Sequence, residues 1–187
     1  MYIFRISSMA DKYKSSLQVS YFELYKEEIR DLLKPETSSK LLQVRELPNG
    51  DTIVAELSRT EVKSASELLE KLKEGNTQRS VGSTNMNATS SRSHAAFNIH
   101  LEQQSHEDPD DSKSAVLRLV DLAGSERLKR TGAEGQRKEE GVNINMGLLA
   151  LGNVISALSD GDSHVKYRDS KLTRILKVNA VFQFRTF

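Results

Sequence analysis

The sequence predicts an α/β fold, because segments with the periodicity of strands occur together with segments that have the periodicity of helices. Residues from Leu17 to Tyr25 alternate between the two faces of a strand. The run from Ala115 to Val120 is almost continuously apolar, which suits a strand covered on both faces of a sheet. From Asn143 to Leu158 the apolar positions are spaced four and three residues apart, which predicts a long helix with one buried stripe. The stripe starts at Ile144 and continues with Leu148, Leu151, Ile155 and Leu158.

A predicted hairpin and a predicted helix lie between these segments. Short strands from Leu42 to Arg45 and from Thr52 to Ala55 flank the pair Asn49-Gly50, which favours a tight hairpin turn. The segment from Ser64 to Glu67 has the spacing of a capping box, which marks the start of a helix. We expect Gly75 to end this helix.

Shorter patterns place the remaining elements. A short apolar-faced element from Glu27 to Leu33 follows the first strand. The segment from His94 to Leu101 alternates like a strand, and a long polar surface loop from Gln103 to Lys113 follows it. A last helix is expected to begin near Asp169-Ser170. Its apolar residues are Leu172, Ile175 and Leu176.

The composition indicates one soluble, intracellular domain. The 187 residues match a usual single-domain length, and an apolar share of 37% is ample for a core. The formal net charge is only +1, so attraction to an acidic partner must come from local clusters of Lys and Arg. The chain has no cysteine, which excludes disulfides and thiolate metal sites. No run approaches the roughly 20 apolar residues that span a bilayer.

The strand that ends at Asp121 carries the first candidate chemistry. An aspartate directly after an apolar strand lies at the carboxyl edge of the sheet, where ligands of α/β folds bind, and it can hold Mg²⁺ through water. Three residues later, Gly124 offers a backbone N–H that a terminal phosphate oxygen can approach closely. Taken alone, this pattern also fits an ordinary turn after a strand.

A second polar segment lies upstream of this strand. Ser90, Ser91 and Ser93 surround Arg92, whose guanidinium can pair with a carboxylate such as Glu126 through two hydrogen bonds. Taken alone, this segment also fits a plain serine-rich turn. Only the combination of the two segments favours a nucleotide site.

Four motifs in the same order resemble the kinesin motor domain. They are the segments Asn87–His94, Asp121–Glu126, Asn143–Leu158 and Tyr167–Arg174. The resemblance runs from about Leu17 to Leu176, and Val19 to Leu33 resembles the strand and short helix that follow the phosphate loop in that family. Asn145 to Leu148 and Leu101 to Gln103 favour the chromosome-associated kinesin-4 group.

The resemblance implies an incomplete kinesin-type P-loop NTPase fold, with a mixed central sheet and helices on both faces. Residues 1–176 would form the C-terminal two-thirds of a motor domain, and residues 177–187 a divergent tail. The segment from Val178 to Phe187 either fills an exposed sheet edge or, as we prefer, is non-native sequence.

ATP and Mg²⁺ are the ligands that the resemblance implies, with Asn87–His94 as switch I and Asp121–Glu126 as switch II. The nucleotide would contact Asn87, Ser90, Ser91, Asp121 and Gly124. The ligands of Mg²⁺ would be Ser91 and Asp121. The catalytic set would be Ser90, Ser91, Arg92, Gly124 and Glu126. Arg92 and Glu126 would pair when the site closes.

The resemblance also implies a microtubule face around the helix from Asn143 to Leu158. Tubulin is acidic, so basic residues have a physical reason to lie there, although a solvated surface is the simpler interpretation of each one. The residues of this face would be Arg127, Lys129, Arg130, Arg137, Lys138, Asn145, Lys166, Arg168, Lys171 and Arg174. Glu139 and Met146 replace basic residues that are common in the family, so affinity is expected to be reduced. No membrane or nucleic-acid partner is expected.

The chain has no recognisable phosphate loop. That loop requires Gly-x-x-x-x-Gly-Lys followed by Ser or Thr, and no glycine of this sequence precedes a lysine. The family activity is ATP-driven movement along microtubules in the cytoplasm, but this chain alone is expected to hydrolyse ATP weakly or not at all. The alternative is a non-catalytic microtubule-binding module.

Overall fold

The computed structural model describes most of the chain, with gaps at both ends and in three internal places. The described residues are 12–86, 92–108, 110–124 and 136–177, and within them the side chains of 82–86 and 136–145 are not described. The strands are β1 (Tyr13–Tyr25), β2 (Glu28–Asp31), β3 (Val44–Glu46), β4 (Thr52–Val54), β5 (Thr60–Glu61), β6 (His94–Ser105) and β7 (Ser112–Asp121). The helices are α1 (Ala65–Met86), α2 (Gln136–Ser159), a 3₁₀ turn (Tyr167–Asp169) and α3 (Lys171–Leu176).

The central sheet has the strand order β2-β1-β6-β7, and β5 also pairs with β1. The pairs that these described strands form are antiparallel. β1 and β6 pair over almost their full length, from Tyr13 opposite Ser105 to Leu24 opposite His94. The predicted strands from Leu17 and from His94 are therefore confirmed, and both are longer than predicted.

The element after β1 is a strand, so the short helix that the family resemblance implied is wrong. Lys26 and Glu27 have φ angles of 50° and 60°, and β2 pairs antiparallel with β1 beyond them. Two successive residues with positive φ form the tight turn that matches the twist of a hairpin. The chain therefore reverses here, before a helical turn can form.

The second predicted hairpin is confirmed as a separate small sheet of β3 and β4. Gly50 in its turn has a φ of 84°, a conformation that glycine adopts without strain. Arg174 of α3 donates a hydrogen bond of 2.8 Å from Nη2 to the carbonyl of Val44, which attaches this sheet to α3.

The start of α1 is as predicted, and its end is not. The N–H of Glu67 donates to Ser64 Oγ at 3.1 Å, and the Glu67 carboxylate accepts from the N–H of Lys63 at 2.8 Å. The helix continues through Gly75 to Met86. A Cβ on Gly75 would lie 2.1 Å from Cδ1 of Tyr21, so this glycine permits close approach to β1 and does not end the helix.

Side chains of β1 and β6 alternate between two cores, one on each face of the sheet. One core contains Phe22, Leu24, Ala96, Leu172 and Ile175, with Leu151 of α2 packed against it. The other contains Val19, Tyr21, Phe97 and Ile99, with Leu68 and Leu72 of α1 packed against it. Helices therefore cover both faces, as predicted.

β7 differs from its prediction in two ways. The loop between β6 and β7 is shorter than predicted, because Gln103 pairs with Lys113 and Gln104 pairs with Ser112 in the two strands. Its apolar residues are exposed by 47% (Val116), 47% (Leu117), 50% (Leu119) and 37% (Val120). The expected cover on both faces is wrong for the described residues, in which β7 lies at the end of the sheet and pairs with β6 alone.

α2 begins earlier than predicted and buries a different face. Gly147, Ala150 and Val154 are buried, whereas Ile155 and Leu158 of the predicted stripe are 59% and 55% exposed. The small residues Gly147 and Ala150 lie on the buried face because they allow the helix to approach its neighbours closely. Two further members of the predicted stripe, Leu148 and Leu151, are half-buried, and the side chain of Ile144 is not described. No helix within the described ranges is long and apolar enough to cross a membrane.

The predicted last helix is confirmed as α3, which is capped from two directions. Ser170 Oγ accepts from the N–H of Leu172 at 3.0 Å, as an N-cap residue does. Glu27, from the β1–β2 turn, accepts from Ser170 Oγ at 2.8 Å and from the N–H of Lys171 at 2.7 Å. A carboxylate at a helix N-terminus is also favoured by the helix dipole.

Candidate functional site

The beginning of β6 and the end of β7 meet at one edge of the sheet. Ala95 pairs with Asp121, so the residues just before β6 lie beside the residues just after β7. These are the inner ends of the two predicted switch segments. The sheet register therefore brings together two segments that the sequence could relate only by resemblance.

Arg79 of α1 binds both segments. Its Nη1 donates to Asp121 Oδ2 at 2.7 Å, and its Nη2 donates to the carbonyl oxygen of Ser93 at 2.9 Å. The Arg79 side chain is only 10% exposed, whereas that of Asp121 is 68% exposed. Sequence reasoning missed Arg79. The available signal was its position on the buried face of the helix, four residues after Gly75, where a charged residue needs a partner.

Glu23 supplies a buried negative charge next to Arg79. Glu23 is 5% exposed, and its Oε1 lies 3.6 Å from Nε of Arg79. Ser93 Oγ donates to the same oxygen at 2.6 Å. Burial of a carboxylate is costly unless it is paired and hydrogen-bonded, and here it is both. Ser93 is therefore fixed at its carbonyl by Arg79 and at its hydroxyl by Glu23.

His94 lies between the segment that follows β7 and helix α2. Its Nδ1 accepts a hydrogen bond of 3.1 Å from the N–H of Ala123, so the single N–H of the neutral ring is on Nε2. A Cβ on Gly147 of α2 would lie 3.7 Å from Nε2 and 3.6 Å from Ser170 Oγ. Burial lowers the pKa of His94 below its ordinary value, so the ring is neutral and can accept from Ala123 at neutral pH.

Three predicted nucleotide-site residues are described. Asp121 is exposed and paired with Arg79, Gly124 is half-buried at the same edge, and Arg92 is half-buried before β6. Outside the described residues are Asn87, Ser90, Ser91 and Glu126. The pairing of Arg92 with Glu126 stays a prediction.

The described part of this edge fits a magnesium ion that is held mainly by phosphate and water. Asp121 offers an exposed carboxylate, the ligand type that Mg²⁺ prefers. No three carboxylate or imidazole groups of the described residues come together as a protein-made metal site would require. A cation at Asp121 therefore needs most of its ligands from the nucleotide and solvent.

Four members of the predicted microtubule face are described with their side chains. Lys166 and Arg168 are exposed, and Arg168 reaches 88% exposure at the side chain. Lys171 and Arg174 are half-buried, and Arg174 is bound to the carbonyl of Val44. The side chains of Arg137, Lys138 and Asn145 on α2 are not described, and Arg127, Lys129 and Arg130 lie outside the described residues.

The fold and the two converging segments define an α/β protein with two polar segments at one edge of its sheet. Comparison with known proteins identifies the family: residues 1–183 match the Kinesin motor domain. The chain belongs to the kinesin motor domain family.

Among its relatives is the chromosome-associated kinesin KIF4A of Homo sapiens, 48% identical over 177 residues that cover 94% of this chain and 14% of that protein. The kinesin-like protein KIN-4C of Arabidopsis thaliana is 44% identical over 204 residues, covering 92% of this chain and 16% of that protein. Both agree with the predicted resemblance to the kinesin-4 group.

A solved structure of a fast kinesin, described for its ATPase mechanism and its interactions with microtubules, matches with a TM-score of 0.83 and 48% identity. The match covers 94% of this chain and 49% of that chain, and it confirms the predicted fold class. This chain thus spans about half of that structure and a smaller share of the curated relatives.

Proposed function

We propose that this chain supplies the nucleotide-sensing edge and the microtubule-facing helices of a kinesin motor, whose activity is ATP-driven movement along microtubules. The observation that carries the proposal is the position of Arg79, which holds Asp121 and the carbonyl of Ser93 with one guanidinium. Because both predicted switch segments are bound to one side chain, a change in one is transmitted to the other.

The proposed roles follow from the chemistry of each residue. Asn87, Ser90 and Ser91 surround the phosphates, Ser91 and Asp121 face Mg²⁺, and Gly124 offers its N–H to the terminal phosphate. Mg²⁺, when bound, neutralises charge that develops on the phosphate oxygens. Arg92 and Glu126 pair to close the site.

His94 gives this edge a route to the microtubule-facing helices. It accepts from the N–H of Ala123 on one side and lies against Gly147 of α2 on the other. Movement of the segment after Asp121 therefore presses on α2. The proposed location is the cytoplasmic microtubule cytoskeleton.

Binding and turnover are tested separately on the purified chain. We expect microtubule-stimulated ATP hydrolysis to be very weak or absent, because no phosphate loop cradles the nucleotide. A rate in the ordinary motor range would contradict this expectation. Co-sedimentation with microtubules that changes when ATP is added would support nucleotide sensing, and Asp121→Asn is expected to remove that change.

A second candidate is a non-catalytic microtubule-binding module. The specific observation in its favour is the anchoring of α3, which depends on Glu27 and Ser170 and not on the predicted switches. Co-sedimentation that ignores ATP in both the wild-type chain and Asp121→Asn would favour this module. Absence of microtubule binding under all conditions would contradict both candidates.

A further inference from the structure

One carboxylate, that of Glu46, pairs with Arg168 of the predicted microtubule face and with Lys177, which directly follows α3. Glu46 of β3 accepts a hydrogen bond of 2.7 Å at Oε1 from Nζ of Lys177. Its Oε2 lies 3.6 Å from Nη2 of Arg168. Glu46 belongs to the small β3–β4 sheet, so these ion pairs join two distant parts of the chain, 131 residues apart in the case of Lys177.

The segment from Lys166 to Lys177, which Glu46 contacts, is strongly basic. It contains five cationic residues and one acidic residue, Asp169, in a chain whose formal net charge is only +1. The hydrogen bond from Lys177, together with the charges of Lys177 and Arg168, lowers the pKa of Glu46 below its ordinary value. Glu46 is therefore ionised at neutral pH and offsets part of this positive charge.

The two cations differ in how freely they can change partner. The Arg168 side chain is 88% exposed and its contact with Glu46 is loose, whereas the Lys177 side chain is 27% exposed and also lies 5.9 Å from the ring centre of Tyr167. An exposed ion pair contributes little to stability, because water competes for both partners. A carboxylate on a partner can therefore replace Glu46 at Arg168 at little cost.

We propose that Glu46 is an internal competitor of the acidic microtubule surface: it holds Arg168 and Lys177 in place and reduces their attraction for that surface. The inference rests on the proposed microtubule face. Two effects of Glu46 oppose each other. It orders two long side chains before binding, but its charge lies within 4 Å of the cations that the partner must reach. The charge effect should dominate, since Arg168 remains exposed and is ordered only weakly by a 3.6 Å contact.

Glu46→Gln separates the two effects, because glutamine keeps the shape and an oxygen acceptor for Lys177 and loses only the charge. Glu74→Gln is the matched control, because Glu74 of α1 accepts a hydrogen bond of 2.7 Å from Nζ of Lys71 and its replacement changes the net charge by the same amount. α1 packs in the opposite core of the sheet from α3, so this position is away from the predicted face.

The experiment is co-sedimentation of the full chain and both variants with microtubules, without nucleotide, at low and at physiological salt. We expect Glu46→Gln to bind about two- to fivefold more tightly at low salt, with a smaller gain at physiological salt. Glu74→Gln is expected to bind like the wild-type chain.

The outcomes separate this inference from the proposed function. If the wild-type chain and both variants fail to bind microtubules, the proposed face is wrong and the inference falls with it. If the wild-type chain binds and Glu46→Gln binds equally or more weakly, the face stands and the inference is overturned. An equal gain in both variants would also overturn it, since net charge alone would then explain the effect. Thermal unfolding of Glu46→Gln confirms that it is folded.

Discussion

Replacement of Arg79 by methionine is the most direct test of the buried network behind the site. The variant keeps a long side chain in place and removes the guanidinium. Glu23, which is 5% exposed, would then keep its hydrogen bond from Ser93 Oγ and lose its neighbouring cation. Removing one partner of a buried ion pair costs about 3–5 kcal/mol, because the other charge stays buried without compensation. The Asp121 side chain is 68% exposed, so water can replace Arg79 there and little is added.

Urea denaturation measures this change as a difference in the free energy of unfolding. Arg59→Met is the matched control, because Arg59 pairs with Glu102 on the surface and its loss should cost no more than about 1 kcal/mol. The double variant Glu23→Gln/Arg79→Met removes both buried charges and should recover a large part of the loss. The reasoning is refuted if Arg79→Met and Arg59→Met are equally stable, or if Glu23→Gln brings no recovery.

Three further predictions concern stability. Gly75→Ala should destabilise the chain by about 1–3 kcal/mol, because its methyl group would lie 2.1 Å from the Tyr21 ring, whereas Gly152→Ala, with open space around it, should stabilise α2 by about 0.8–1 kcal/mol; equal effects in urea denaturation would contradict this. Ser64→Ala should cost about 1 kcal/mol through loss of the α1 cap, and an unchanged thermal midpoint would argue against that role. Burial lowers the pKa of His100 to about 4, with smaller contributions from two nearby arginines, so the unfolded chain takes up a proton first as the pH falls. The contribution of neutral His100 to the free energy of unfolding is therefore intact above its ordinary pKa of about 6.5 and is lost towards pH 4. The variant His100→Asn should make the urea midpoint depend less on pH over that range, and an unchanged pH dependence would contradict this.

Local patterns in the sequence predicted most of the elements correctly. The alternation in β1 and β6, the capping box of α1 and the Asn-Gly turn between β3 and β4 depend on neighbouring residues, so they are readable from one segment at a time. The end of α1 was wrong for the opposite reason. Gly75 is a helix-ending residue by local rules, but its role is set by Tyr21, which belongs to another element.

The elements that pack against each strand face and the partners of buried charged residues could not be predicted in the same way. An apolar run such as Ala115 to Val120 shows that a strand tolerates burial on both faces, but what lies against those faces depends on other segments. Arg79 was missed because its partner Asp121 is 42 residues away, and only the sheet register brings Asp121 beside Ser93. The stripe of α2 was wrong because hydrophobicity alone gives no weight to Gly147 and Ala150, whose small size decides the contact.

The turn between β1 and β2 links local backbone strain to the orientation of a distant helix. Glu27 occupies a left-handed conformation, with φ of 60°, that glycine or asparagine adopts more readily. Its carboxylate nevertheless caps α3, with the N–H of Lys171 lying 144 residues further along the chain. A glycine at position 27 would relax the turn and release the cap together. Substitutions chosen only to stabilise the hairpin would therefore loosen α3, so a more stable turn would give a less firmly anchored helix.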